Sequence, residues 1–315
     1  MARDVRVKAA LRWGFLAVAV GLLAWAVITG WDEVSVALRD LTWGAIAGAL
    51  VACVVALGVN AMSWRAVMRS IGLTATVPEA LRVFLLSQVG KYVPGSVWPV
   101  LAQAEFARDH GVSRPRAMTG SIVAMVVGVV TSAVVGAIGL LVAVPGALAS
   151  YWWVLVVAAA LATMLIPPVL ARVVALAFRV TRRTEEPARI GGRALLASAA
   201  WSALMWVVLG VHAWLLLREL APGAGLVIAT GAFAFAWLVG FLVVIAPAGA
   251  GAREGALVLV LAPVATPAQA LSLALVSRFV MTAADAIGLG VGIAIGARGR
   301  AAAPREPQRG QAPPA

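Results

Sequence analysis

Charge is scarce in this sequence: 12% of its 315 residues are Asp, Glu, Lys or Arg, and 13 are acidic. A soluble domain carries about 25% charged residues, so this chain cannot clothe a water-facing surface of ordinary polarity. Cysteine is nearly absent. The single Cys53 excludes a disulfide framework and a multi-cysteine metal site. What the chain has instead is apolar: 63% of its residues are hydrophobic and the mean hydropathy is +0.98. That composition also excludes disorder, which requires too little to bury. The chain reads as an all-α polytopic membrane protein.

The net charge of +12 invites a nucleic-acid reading, but its distribution does not support one. The excess sits in short segments between apolar runs. Residues 1–12 hold Arg3, Arg6, Lys8 and Arg12 against Asp4, residues 172–193 hold six arginines against Glu185 and Glu186, and smaller excesses fall in 63–82, 104–118 and the tail from 297. Segment 31–42 is the acidic exception, with Asp32, Glu33 and Asp40 against Arg39. Basic segments stay on the cytoplasmic side of a membrane. The pattern places both termini in the cytoplasm of a multi-pass protein of the plasma membrane, with no nucleic-acid partner.

About six to eight transmembrane helices are expected. Spans of adequate length are 13–30, 43–62, 119–144, 152–171, 194–217, 226–246 and 271–296. The run 13–30 reads as a retained first helix rather than a cleaved leader, being long and lacking a small-residue cleavage site. The residues 1–296 form one transmembrane domain, and 297–315, rich in Pro, Arg, Gln and Ala, read as a disordered cytoplasmic tail.

Two apolar stretches are interrupted. Residues 83–103 break at Lys91-Tyr-Val-Pro94-Gly95-Ser96, leaving two pieces of about eight residues, each reaching about 12 Å. That is under half the hydrocarbon thickness, so the stretch reads as a re-entrant hairpin opening to the cytoplasm. The second break is Pro247-Ala-Gly249-Ala-Gly251, between 226–246 and 251–263, and forms a hairpin opening outside.

The breaks also mark a repeat. Trp43 and Ala194 lie 151 apart, Pro94 and Pro247 153, and Thr119 and Leu271 152. Repeat one covers about 43–145 and repeat two about 194–296. The intervening crossings turn the second upside down. Inverted repeats with broken elements are a transporter pattern, with the site where the breaks meet.

An unwound segment in a membrane survives only where protein or a wet cavity covers its backbone. The half-helix after Gly95 offers N-terminal amides, with Ser96 as a cap, and such an end attracts anions. Lys91 adds a positive charge one turn away. At the second break Glu254 suits the dipole end of the returning half-helix, leaving Arg253 to meet an anion. Arg278 and Asp285, seven residues apart, share one face of the last span but are too far apart to pair without a third partner. Tyr92 and Trp98 flank the first break as ligand contacts or interface markers. Asn60 and His212, 152 apart, read as helix–helix glue, and His110 as a solvated loop residue. No catalytic residue, metal or cofactor is expected.

The stretch Ser87-Gln-Val-Gly-Lys-Tyr-Val-Pro-Gly-Ser-Val-Trp-Pro99 and the stretch Ala246-Pro-Ala-Gly-Ala-Gly-Ala-Arg-Glu-Gly255 together resemble signatures of one family. It is the flippase-like transmembrane region of lysylphosphatidylglycerol synthases and their stand-alone relatives. The resemblance runs over nearly the whole chain. It implies a domain that moves anionic or amino-acylated phospholipids, or isoprenoid-linked head groups, between leaflets, and it matches its motifs at Lys91, Tyr92, Pro94, Gly95, Arg253 and Glu254. Full-length synthases continue into a soluble aminoacyl-transferase domain where this chain has a short tail, so synthase activity is not expected. Many relatives carry a Glu-Arg pair in the span after the first hairpin, whereas 122–130 here is uncharged.

The expected function is thus a lipid flippase or transporter whose partner is a membrane lipid with an anionic head group. No nucleotide motif is present in the sequence, so a gradient, the membrane potential or consumption of the lipid would drive it. Two alternatives stand beside it. One is a membrane-embedded transferase using a lipid-linked donor, with Asp32 and Glu33 as its acids. The other is a structural partner of a separate lipid-modifying enzyme.

Overall fold

The computed structural model describes residues 39, 41–92, 98–143, 146–180, 189–242 and 251–302, and the regular structure within them is helical throughout. The chain order is α1 (Trp43–Ser70), α2 (Val77–Ser87), a 3-10 segment (Gln88–Tyr92), α3 (Trp98–Arg108) and α4 (Arg114–Ala143). Then come α5 (Ala147–Ala162), α6 (Pro167–Val180), α7 (Gly192–Leu220), α8 (Leu226–Leu242), α9 (Ala252–Leu261) and α10 (Pro267–Ala302).

Local chemistry fixes where these helices start. The hydroxyl of Thr42 accepts from the amide of Ala45 at 3.2 Å and opens α1. Before α2, the amide and hydroxyl of Thr76 donate to Glu79 at 2.8 and 2.7 Å, and Pro78 occupies the first turn, where a missing N–H costs nothing. Thr266 and Gln269 exchange the same kind of bonds ahead of α10, at 2.8 and 3.3 Å. Because such caps lie outside the apolar runs, the helices reach further than hydropathy indicates. The first hairpin's arms α2 and α3 have 11 residues each rather than eight, about 16 Å of helix.

The span count expected from the sequence is larger than the described residues supply. Among them four helices (α1, α4, α7 and α10) are long and apolar enough to cross a membrane, or five if one bent pair is a single span. The expected first span 13–30 and the tail 303–315 lie outside the described residues. The expected straight span 152–171 is corrected: it is the bent pair, α5 and α6 meeting at 83°. Pro167 and Pro168 are the cause, since their rings block the preceding helical turn and push Ile166 into extended backbone, φ −75 and ψ 121.

Helices α1 and α7 lie side by side and run in opposite directions. Thr42 donates to Glu219 from both its amide and its hydroxyl, at 2.8 and 2.9 Å. The hydroxyls of Ser63 and Ser198 meet at 2.9 Å at the other end of the pair. Over 21 residues of α1 the partner recedes by 21 along α7. Gln269, starting α10, donates to the carbonyl of Leu220 at 2.6 Å, so the starts of α1 and α10 share a face with the end of α7. On the opposite face, Thr74 beyond α1 donates to the carbonyl of His110, ahead of α4, at 3.2 Å.

Hydrocarbon gives helices no hydrophobic reason to associate, so contact depends on small residues and interhelical hydrogen bonds. Helix α8 packs on α4 where Gly139 meets Gly231: a Cβ on either would collide with the other's backbone. Helix α2 packs on α10 in the same manner, with Leu85 against Gly288 and Leu86 against Gly292. Buried bonds from Trp64 to Ser121 (3.0 Å) and between Thr131 and Ser202 (2.6 Å) add to the set.

Candidate anion site between the hairpins and the last helix

The site is built on α10. Ser277, Arg278, Met281, Thr282 and Asp285 repeat at helical spacing and form one stripe along it. Both hairpins bring their charges to that stripe. From the first, Lys91 Nζ reaches Asp285 Oδ2 at 2.6 Å, and the Tyr92 hydroxyl donates a short hydrogen bond to the same oxygen. The Tyr92 and Thr282 hydroxyls lie 3.4 Å apart, and the Tyr92 ring lies 5.6 Å from the Lys91 ammonium. From the second, Glu254 Oε1 meets Arg278 Nη2 at 3.1 Å, while Glu254 Oε2 accepts from the Gly251 amide at 2.6 Å.

Placing Lys91 there requires a tight turn in the first hairpin. Gly90 lies against the start of α3, where a Cβ would sit 2.9 Å from the backbone nitrogen of Pro99. Deeper in, Gln103 of α3 donates to the Ser87 hydroxyl at 3.0 Å, and Ser87 donates to the carbonyl of Phe84 at 2.7 Å. These buried bonds clamp the two arms together and hold the 3-10 segment toward α10.

Arg253 differs from the other charges. It is 8% exposed, and no described carboxylate lies within ion-pair distance of it. Its guanidinium stands 4.6 Å over the face of Phe233, with the hydroxyl of Ser277 at 3.4 Å and the sulfur of Met281 at 3.6 Å. Its Nε has no hydrogen-bond partner among the described residues. A ring face offers an arginine about 0.5–2 kcal/mol. Placing it at membrane depth costs about 2.5–3.5 kcal/mol. The ring by itself recovers only part of that cost.

The expected site residues divide as follows. Lys91, Tyr92, Arg253, Glu254, Arg278 and Asp285 all converge on α10. Lys91, expected to offer its charge to an anion, is instead held by Asp285. Arg278 and Asp285 take separate partners from the two hairpins rather than sharing one. Trp98 stands half-exposed at the start of α3. Pro94, Gly95 and Ser96 lie outside the described residues. His212 is fully buried, bonded by Nδ1 to the carbonyl of Leu209 at 2.8 Å and edge-on to Phe233 at 4.8 Å, while Asn60 is half-buried on α1. His110 is not a freely solvated loop residue, since its Nδ1 lies 3.2 Å from the carbonyl of Phe106 and its Nε2 3.9 Å from Glu79.

Sequence reasoning missed Phe233, Ser277, Met281 and Thr282. The last three had a signal, since Ser277, Met281 and Asp285 recur every four residues and Thr282 follows Arg278 by four. Phe233 had none, being one aromatic among many on an apolar helix.

Comparison with known proteins adds one match. The family described as Lysylphosphatidylglycerol synthase TM region matches residues 13–288, nearly the whole chain. No curated protein matches it.

Proposed function

Because the chain belongs to the lysylphosphatidylglycerol synthase TM region family, we propose that it is a lipid transporter of the flippase type. It moves a lipid with an anionic head group between leaflets of the plasma membrane. The observation that carries this reading is Arg253, a buried guanidinium without a carboxylate partner among the described residues, where both hairpins meet α10. An ionisable residue at membrane depth is expensive and marks a substrate path. The head group binds there while the acyl chains stay in lipid, and Lys91 joins when Asp285 releases it.

Alternation of access fits two inverted repeats, 43–145 and 194–296, rocking about that point. Three observations support them. Exchanging the halves turns α1, α2, α3 and α4 into α7, α8, α9 and α10, and the packed pairs then map onto one another: α4 with α8 becomes α10 with α2, and α1 with α10 becomes α7 with α4. Gly136 and Gly288, 152 apart, face Phe235 and Leu85 on the opposite hairpin. Finally, the equivalent helices α1 and α7 cross antiparallel, as a two-fold axis in the membrane plane requires. An axis along the membrane normal would make them parallel.

The test is leaflet exchange in proteoliposomes. Fluorescent phosphatidylglycerol in the inner leaflet becomes accessible to an external quencher with the wild type, and at the protein-free rate with Arg253→Ala. A wild-type rate equal to that of empty vesicles, across several anionic lipids, would remove the transport reading.

A further inference from the structure

Resting on that reading, we infer that His212 is a proton-binding site coupled to the anion site at Arg253, so that one proton travels with each anionic head group. A histidine that only joined helices would bond to a neighbouring helix. His212 is fully buried in α7, and its Nδ1 bonds within its own helix, to the carbonyl of Leu209 at 2.8 Å. A carbonyl only accepts, so Nδ1 carries the hydrogen and Nε2 presents a lone pair. That Nε2 is buried and has no hydrogen-bond partner among the described residues. It is the atom of the ring that can take up a proton.

Phe233 links this ring to Arg253. The guanidinium stands over its face at 4.6 Å, and His212 meets it edge-on at 4.8 Å. The two charge sites therefore lie within about 10 Å of each other across an apolar ring. Their depth agrees. Gln269 bonds to the carbonyl of Leu220, and eight residues further in along the two helices stand Ser277 and His212. Ser277 in turn lies 3.4 Å from Arg253. Of the other helices packed on α7, α8 carries no ionisable side chain, and α4 has Arg114 and Arg116 at its opposite end. Helix α1 brings the buried Cys53, with Arg65 and Arg69 toward its far end. Helix α10 brings Arg278 and Asp285, bonded to Glu254 and Lys91, and α7 itself ends in Arg218 and Glu219.

A second positive charge near Arg253 is costly where water is scarce, and an anion on Arg253 offsets that cost. Only the change at Arg253 matters here, because Glu254 and Arg278 act on that guanidinium in the free and the loaded site alike. The effect is mutual: the factor by which the anion raises proton affinity is the factor by which the proton raises anion affinity. A hydronium ion supplies the proton, which adds to the Nε2 lone pair and gives an imidazolium. It returns to water when the head group leaves, and no other bond changes. A singly charged head group and its proton cross as a neutral pair, which a pH difference across the membrane drives.

Nuclear magnetic resonance of the whole protein in neutral detergent, labelled at the histidine ring nitrogens, tests this. The chain has two histidines, so His110→Gln leaves His212 as the single imidazole signal. Its nitrogen shifts should report hydrogen on Nδ1 and a bare Nε2 at high pH, then one titration step on acidification. Arg253→Met should raise the midpoint by about one pH unit. Saturating short-chain phosphatidylglycerol should raise it by a similar amount when Arg253 is present and leave it in place in Arg253→Met. Short-chain phosphatidylcholine should leave it in place in both. By calorimetry, phosphatidylglycerol should bind about tenfold tighter below the midpoint than well above it, a dependence that His212→Gln removes.

A His212 ring that stays neutral at every pH at which the protein is folded, with and without phosphatidylglycerol, overturns the inference. So does a midpoint unmoved by Arg253→Met. Neither result depends on a His212 variant folding. A midpoint that moves with Arg253→Met but with no anionic lipid takes the lipid away from Arg253, and the joint movement falls with it. Leaflet exchange of phosphatidylglycerol at one rate on both sides of the midpoint overturns the coupling and leaves the transport reading standing.

Discussion

Arg253 and Asp285 are both buried ionised side chains, and their neighbours give them opposite consequences. Arg253 has a ring, a hydroxyl and a sulfur around it, and no carboxylate among the described residues pairs with it directly. Replacing it with a similar apolar volume, Arg253→Met, should therefore raise the unfolding free energy by about 1 kcal/mol while abolishing transport. Asp285 accepts from Lys91 and Tyr92 at once. Asp285→Asn should cost about 1–2 kcal/mol, less than a fully buried pair would lose because Lys91 is 35% exposed. Thermal unfolding of the two variants in one detergent checks both signs. Destabilisation by Arg253→Met would mean that its charge has a partner. Six charged or aromatic members of this site could be read from the sequence, because ionisable residues beside the breaks and inside the last span stand out in an apolar chain. Their pairing could not. Lys91 and Asp285 are 194 residues apart, and helical period tells which face a residue occupies, never which helix covers it.

Among the helices, glycines separate contact from mere composition. Gly139 and Gly290 look alike in the sequence, each in an apolar run of α4 or α10. Gly139 touches the backbone of α8, while nothing lies within 4 Å of the Cβ position at Gly290. Gly139→Ala should thus destabilise by about 1–3 kcal/mol through overpacking. Gly290→Ala should stabilise by about 0.5–1 kcal/mol, because alanine restricts the unfolded chain more. The cap of α2 has its own pH signature. The Thr76 hydroxyl and amide bonds hold the Glu79 carboxyl below its ordinary value of 4.5. With a lowered native pKa, the contribution is present above about pH 4.5 and fades as pH falls through the native value. Glu79→Gln should be about 0.5 kcal/mol less stable than wild type at neutral pH, Glu79 being largely exposed, and equal to it in acid. The centres of α1, α4, α7 and α10 were legible from hydropathy, but their ends were not, because caps such as Thr76 and Thr266 lie outside the apolar runs. The bend at Pro167 was readable and was missed: two prolines in an otherwise apolar run carry little weight in a hydropathy count and great weight in backbone geometry.

For the molecule as a whole, inversion makes a claim about sides. If the repeats are inverted as proposed, the loop between α3 and α4 and the loop between α9 and α10 are equivalents, and one faces the cytoplasm and the other the exterior. With the buried Cys53 replaced, an impermeant thiol reagent applied outside should label Pro263→Cys and leave Asp109→Cys unlabelled until the membrane is opened. Labelling of both from one side would put the repeats in parallel. The spacing near 152 residues was visible in the sequence, but only the packed helices show that α1 and α7 lie antiparallel. The site between the halves is asymmetric, for α10 supplies Arg278 and Asp285 while α4 has no charge beyond Arg116. Helix α10 thus provides the charged wall for both hairpins. The most direct measurement is the initial rate at which fluorescent phosphatidylglycerol leaves the inner leaflet of proteoliposomes, with wild type, Gly290→Ala and Arg253→Gln reconstituted at equal density. Wild type and Gly290→Ala should exchange it at matching rates, and Arg253→Gln at least about tenfold more slowly. An Arg253→Gln rate equal to that of the wild type would contradict a lipid path through Arg253.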